Sequence, residues 1–180
     1  MMNKQQKNSF GMAKYLFVDM DGTLIDTDRA NNEAYKSAAR IVTGKELMHS
    51  FHRITSDSIY GLYPIDKAEA IISKKNEIYP DYLYLTKVNE DLVELILRSR
   101  KSSYLVSNCS QKRGEETLKF HLLDSIMDRN MFYSGDKYNK SIHELNINPK
   151  EIFVFENEIV QANNAIQAGV DANSIYVFNN

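Results

Sequence analysis

Two aspartates one residue apart, Asp19 and Asp21, close the short apolar run from Tyr15 to Val18, and Gly22 and Thr23 follow them. In extended backbone a spacing of two puts both side chains on the same side, so the two carboxylates can face one point. Carboxylates that close repel each other, and a fold tolerates them with a cation or a proton between them. The pair therefore implies a divalent metal, most naturally Mg2+, or a nucleophile working beside an acid. Gly22 offers backbone that an anion can approach, and Thr23 offers a hydroxyl to help bind it.

The order of apolar strand, Asp-x-Asp-Gly-Thr and then Leu24-Ile25 resembles the first motif of the haloacid dehalogenase superfamily. Its members are mostly Mg2+-dependent phosphatases and phosphotransferases. Within it the chain looks like the phosphoglycolate phosphatase and beta-phosphoglucomutase-like group, which carries a helical cap. The resemblance implies that Asp19 is the nucleophile that becomes an aspartyl-phosphate and that Asp21 is the general acid and base. Three later segments extend it. Ser107 and Asn108 end the run Tyr104 to Val106, where the superfamily places a hydroxyl residue that hydrogen-bonds the transferring phosphoryl group. A strand-end hydroxyl with free backbone N–H groups after it suits a phosphate oxygen.

The next segment should bring a cation, because the phosphoryl group and the attacking carboxylate together concentrate negative charge. Lys137 and Lys140 are the candidates, and the proline that often follows this lysine in the family is absent here. Lys137 is preferred, since it leaves more room for a helix up to Leu145. Last comes Val154 to Glu158, similar to the family segment Phe-Glu-Asp-Ser. Glu156 matches, but Asn157 stands where an aspartate usually helps hold Mg2+, and Glu158 replaces a small polar residue. Mg2+ prefers charged oxygen ligands, so an amide oxygen there binds it more weakly. The implied metal set is Asp19, Asp21, Glu156 and Asn157, with Gly22, Thr23, Ser107, Asn108 and Lys137 on the phosphate.

The elements that must position these residues follow from periodicity. Tyr15 to Val18 reads as a strand buried on both faces, as in a parallel sheet. Asp26, Thr27 and Asp28 can cap a helix carrying Ala30, Ala34, Tyr35, Ala38, Ile41 and Val42, which Thr43-Gly44 ends. Further apolar-periodic segments surround Leu47, Phe51 and Ile54, and run between Pro64 and Pro80. Asn89 can cap a helix holding Leu92, Val93, Leu95 and Ile96. Strands are then expected at Tyr104 to Ser107, Met131 to Ser134, Ile152 to Phe155 and Ile175 to Phe178. Helices fall between them near Lys112 to Phe120, Tyr138 to Leu145 and Ala162 to Ala168.

Alternating helices and strands favour an α/β fold, a three-layer Rossmann-like parallel sheet with its site at the carboxyl ends of the strands. The expected organisation is a flexible tail over 1–13, a core of 14–26 and 87–180, and a helical cap over 27–86. The resemblance implies that the cap closes over the substrate, with His52, Arg53, Lys74 and Lys75 as its polar candidates for selecting the leaving group.

A length of 180 residues allows one full core with a small insertion, and a net charge of -2 without a long basic run argues against nucleic acid. No stretch resembles a membrane span or a secretory signal. The single cysteine, Cys109, excludes an internal disulfide and fits a reducing cytoplasm. It reads as an oxidisable thiol or as a passive loop residue. The expected activity is Mg2+-dependent hydrolysis of a small phosphorylated metabolite. Phosphoryl transfer to a sugar is one alternative, and a degenerate relative that binds a phosphorylated ligand or a protein is another. Dehalogenation needs no leaving-group acid, and Asp21 supplies one.

Overall fold

The computed structural model describes residues 2–47 and 53–178. The chain divides into two units, Met1–Ile25 together with Val88–Asn180, and Asp26–Lys87.

The first unit opens with α1 (Lys4–Met12), where a loose tail was expected. Asn3 and Gln6 form a reciprocal capping box, which satisfies two orphan N–H groups of a short helix. Phe10 sets its ring edge-on against Phe153, with centroids 5.3 Å apart. The capping pair and one partly buried ring hold a segment whose composition looks polar.

After α1 come β1 (Tyr15–Val18) and the two-residue β2 (Ile25–Asp26). The second unit follows, with α2 (Asp28–Thr43), α3 (Ser56–Leu62), α4 (Ile65–Ile78) and a 3-10 turn at Tyr79–Leu85. The chain returns through β3 (Lys87–Val88), which pairs with β2. It then alternates α5 (Glu90–Ser99), β4 (Ser102–Ser107), α6 (Gln111–Phe120), β5 (Arg129–Phe132), α7 (Lys137–Leu145), β6 (Ile152–Glu156), α8 (Ile159–Gln167) and β7 (Ile175–Val177).

The main sheet has the order β5-β4-β1-β6-β7, and its pairings are parallel. Because successive side chains point to opposite faces, each strand feeds two cores. Leu16, Val18, Leu105, Phe153 and Phe155 join Leu92, Ile96 and Leu118 from α5 and α6. Phe17, Val106, Ile152 and Val154 join Tyr138, Ala162 and Ala165 from α7 and α8. This is the three-layer α/β sandwich expected of a parallel sheet. β1 is central, and connections leave it toward β4 on one side before crossing to β6 on the other. Its carboxyl end is therefore the topological switch point, where an open α/β sheet holds ligands.

The second unit packs Tyr35, Ala38 and Ala39 of α2 against Ile59 of α3 and Ala68 and Ile71 of α4. Gly44 ends α2 in the left-handed conformation, as its sequence position suggested. Leu47 and Ile54 are buried in this core, while α3 begins only at Ser56, after a capping box on Thr55. Phe51 and His52 lie outside the described residues. Among the described residues no helix is long and apolar enough to cross a membrane.

Candidate active site

The turn after β1 is built by its own backbone. The Leu24 N–H donates to the Asp19 carbonyl and the Ile25 N–H to the Met20 carbonyl, while the Gly22 N–H donates back to the Ile25 carbonyl at 2.8 Å. Gly22 has φ +78, the left-handed region that a side chain would strain. Asn89 secures the turn from outside. Its backbone N–H donates to the Leu24 carbonyl, its amide to the Thr23 carbonyl, and its Oδ1 caps α5 at the Leu92 N–H.

Asp19 is 5% exposed, and Lys137 Nζ donates to its Oδ1 at 2.5 Å. Lys137 reaches there because Gly135 and Asp136 both adopt positive φ, turning the chain sharply before α7. The same ammonium lies 2.8 Å from Glu156 Oε2 at the end of β6. Glu156 is itself fully engaged. Its Oε2 also accepts from the Tyr138 hydroxyl, and its Oε1 accepts from the backbone N–H groups of Asn157 at 3.0 Å and Glu158 at 3.3 Å. One lysine thus serves two buried carboxylates. Burial pushes the Asp19 carboxyl up to about 7 against the pull of Lys137, with Glu156 and Asp21 adding to the rise. Burial opposes the Lys137 charge, yet the two carboxylates outweigh it and hold its pKa above the ordinary lysine value. Burial raises Tyr138 as well, with Glu156 reinforcing it, so its hydroxyl stays a donor.

Asp21 meets a second cation. Arg113 in the first turn of α6 donates from Nη1 to Asp21 Oδ1 at 2.9 Å and from Nη2 to Oδ2, a two-bond fork. Such bidentate, charge-assisted pairs are the strong class of hydrogen bond. Close by, the Cys109 N–H donates to Ser107 Oγ at 3.2 Å. Ser107 is buried, and its side chain also hydrogen-bonds the Cys109 thiol. The Cys109 thiol is pushed up to about 11 by burial, against the opposing charge of Arg113, and the Asp21 and Asp19 charges act on it too. Those mutual influences put the β1 turn, the end of β4 and the start of α6 in one neighbourhood. Thr23 Oγ1 donates to Asn157 Oδ1 at 3.4 Å, joining the β1 turn to the end of β6.

The structure therefore gathers Asp19, Lys137 and Glu156 in one contact set, Asp21 with Arg113 in another, and Thr23 with Asn157 in a third. Lys140 points elsewhere, donating to the Ser134 carbonyl from an exposed position. Asn108 is exposed in the loop after Ser107. In the helical unit Lys74 pairs with Glu77, and Arg53 lies 3.2 Å from Asp28. Lys75 is buried there, its ammonium 4.4 Å from the centre of the Tyr79 ring.

Glu156 and the Asp21 side chain, both in the expected metal set, have other partners. Glu156 spends both oxygens on four donors, and the Asp21 side chain spends both on Arg113. Among the described residues no group of three or more His, Cys, Asp and Glu side chains could hold a metal ion. The remaining donors are Asp19 and the Asn157 amide oxygen, with backbone carbonyls. That set fits Mg2+ in its sparse mode, in which one or two carboxylates and the substrate's own phosphate complete the shell. Charge points the same way. Among the described residues, Asp19, Asp21 and Glu156 form ion pairs with Lys137 and Arg113, a cluster richer in carboxylates than in cations, which added positive charge suits.

Arg113 and Tyr138 were not found from the sequence. A signal for Arg113 existed: a cation in the first turn of a helix opposes the macrodipole and needs a carboxylate to hold it. Lys137, first residue of α7, obeys the same logic.

Neither the protein-family models nor the curated proteins searched give a match to this sequence. Solved structures do. A haloacid dehalogenase-like hydrolase from Streptococcus pneumoniae superposes with a TM-score of 0.75 at 14% identity, covering 89% of this chain and 83% of its own. A structure assigned as a beta-phosphoglucomutase from Thermotoga maritima gives 0.67 at 22%, covering 93% and 88%. CbbY from Rhodobacter sphaeroides, solved with phosphate, gives 0.71 at 17%, covering 88% and 84%. A mutant of that CbbY was solved with xylulose-(1,5)bisphosphate. At these identities the likeness establishes a shared fold.

Proposed function

We propose that this chain, which has the haloacid dehalogenase-like fold, is a Mg2+-dependent phosphatase acting on a small phosphorylated metabolite through an aspartyl-phosphate on Asp19. The observation that carries the proposal is the buried Asp19 carboxylate at the switch point of the sheet, held by Lys137. That contact fixes one oxygen and leaves the other to attack.

In the first step Asp19 Oδ2 attacks phosphorus in line, and Asp21 gives a proton to the departing alkoxide as the P–O bond breaks. In the second step Asp21 takes a proton from water, whose oxygen attacks the aspartyl-phosphate and releases inorganic phosphate with Asp19 restored. Lys137 and the Ser107 hydroxyl hold phosphoryl oxygens, with the Gly22 and Thr23 turn and Asn108 lining the same anion site. Glu156 and Tyr138 act through Lys137, fixing where its ammonium sits. Asp19, the backbone carbonyl of Asp21 and Asn157 would hold Mg2+, which when bound supplies positive charge to the phosphoryl oxygens. The helical unit serves as the cap that selects the leaving group and excludes water. Neighbours of the same fold solved with phosphate and with a sugar bisphosphate support this substrate class.

The test is hydrolysis of p-nitrophenyl phosphate. The wild type should turn it over with Mg2+ and stop when EDTA is added, and Asp19→Asn should fall to the level of a blank. Wild-type turnover by Asp19→Asn would remove the assignment. A wild type that neither binds Mg2+ nor turns over would support a non-catalytic ligand-binding relative, the reading that Asn157 favours.

A further inference from the structure

A carboxyl group that protonates a leaving oxygen must carry a proton and aim it at that oxygen. The Asp21 carboxylate does neither while its two oxygens accept from Nη1 and Nη2 of Arg113. A protonated oxygen has no place in such a fork, because its O–H would face an N–H. At least one of the two hydrogen bonds must break before acid catalysis can start. The guanidinium is well placed for an exchange of partners. Its side chain is 14% exposed, near the Ser107 loop, on a helix turn where nothing but negative charge favours a cation. Guanidinium forks also match phosphate oxygens as well as they match carboxylates.

We propose that Arg113 is a substrate-binding and positioning residue that changes partners: it pairs with Asp21, as the fork shows, and moves to the substrate's phosphate on binding, releasing Asp21 for proton transfer. Binding and availability of the acid are thereby coupled. Without substrate the site stays charge-paired around Asp21. An arriving phosphate dianion brings more negative charge than a single carboxylate and draws the guanidinium away from it. No bond is made or broken in this exchange, only hydrogen bonds. The proposal rests on the phosphatase reading, in which Asp21 is the acid.

The exchange predicts a particular split of kinetic constants. Loss of Arg113 removes a charge-assisted contact to bound substrate, so KM rises, by about ten- to a hundred-fold. Asp21 is then never held back, so kcat stays within about threefold of wild type on an alkyl ester, whose poor leaving group depends on the acid. The experiment measures kcat and KM of wild type, Arg113→Ala, Arg113→Lys and Asp21→Asn on p-nitrophenyl phosphate and on β-glycerophosphate, with thermal unfolding to confirm that each folds.

Arg113→Ala should show the KM rise on both esters, and millimolar guanidinium should lower that KM without affecting wild type. Arg113→Lys keeps the charge but not the fork and should fall between. Asp21→Asn should lose kcat mainly on the alkyl ester. A collapse of alkyl-ester kcat in Arg113→Ala at unchanged KM would overturn the proposal, because Arg113 would then hold Asp21 in its working position. Unchanged constants would overturn it too. A wild type inactive on both esters would instead bring down the phosphatase reading, and the exchange with it, so the two failures are distinct.

Discussion

Cys109 shows how a single residue reports on its surroundings. It sits two residues after Ser107 and within the field of Asp19 and Asp21, and its thiol is pushed up to about 11 by burial. A pKa raised above the ordinary 9.0 means that the thiolate, the reactive form, is scarcer at a given pH. At pH 8 alkylation by iodoacetamide should run about a hundred-fold slower than for a free cysteine with that ordinary value, and accelerate only as pH approaches 11. Rapid labelling at pH 8 would show that the thiol is not held in this environment. A scarce thiolate accords with the passive reading of Cys109 rather than the oxidisable one. Residue identity alone made Asp19, Asp21 and Ser107 legible, since each ends or follows an apolar run. Arg113 was not legible that way. Its partner is 92 residues away in sequence, and only folding shows that α6 begins beside the β1 turn. Glu156 was legible as a candidate but not as to its partners, because Tyr138 and Lys137 approach the end of β6 from α7.

At the scale of elements, the interior strands were readable because they are continuous apolar runs buried on both faces. β1 is found with the expected bounds. β5 is found two residues earlier than its apolar content suggests, at Arg129–Phe132, because an edge strand tolerates exposed polar residues such as Arg129. α1 escaped notice for a related reason: its nine residues include no fully buried side chain, and its order depends on a capping box and Phe10. The seating of α6 on β5 depends on Gly114. A Cβ there would lie 2.1 Å from the Phe132 ring, so in Gly114→Ala the ring or the helix must shift. Overpacking of this kind costs about 1–3 kcal/mol, and a shift of α6 also moves Arg113. Chemical denaturation should show that loss, whereas Gly61→Ala, where the added methyl meets nothing within 4 Å, should lose little. Equal stability of Gly114→Ala and wild type would mean that the helix is not seated through this contact.

For the whole molecule, topology does the assembling. The residues of the site come from the ends of β1, β4 and β6 and the starts of α6 and α7, and a parallel sheet with β1 at its centre brings those five places to one edge. Alternating strands and helices made that legible in advance. The balance of charge at the edge was not, since it depends on which cations fold inward: Lys137 beside Asp19 and Glu156, and Arg113 beside Asp21. With the Glu156 oxygens and the Asp21 side chain engaged, the proposed Mg2+ would rest on Asp19, Asn157, backbone carbonyls and the substrate's own phosphate. The central step of the proposed mechanism is covalent, and intact mass spectrometry tests it most directly. Wild type mixed with Mg2+ and p-nitrophenyl phosphate and quenched in acid during turnover should gain the mass of one phosphoryl group, mapped to the peptide holding Asp19, and Asp19→Asn should gain none. A phosphoryl adduct that persists in Asp19→Asn, or a wild type that turns over with its mass unchanged at every quench time, would contradict it.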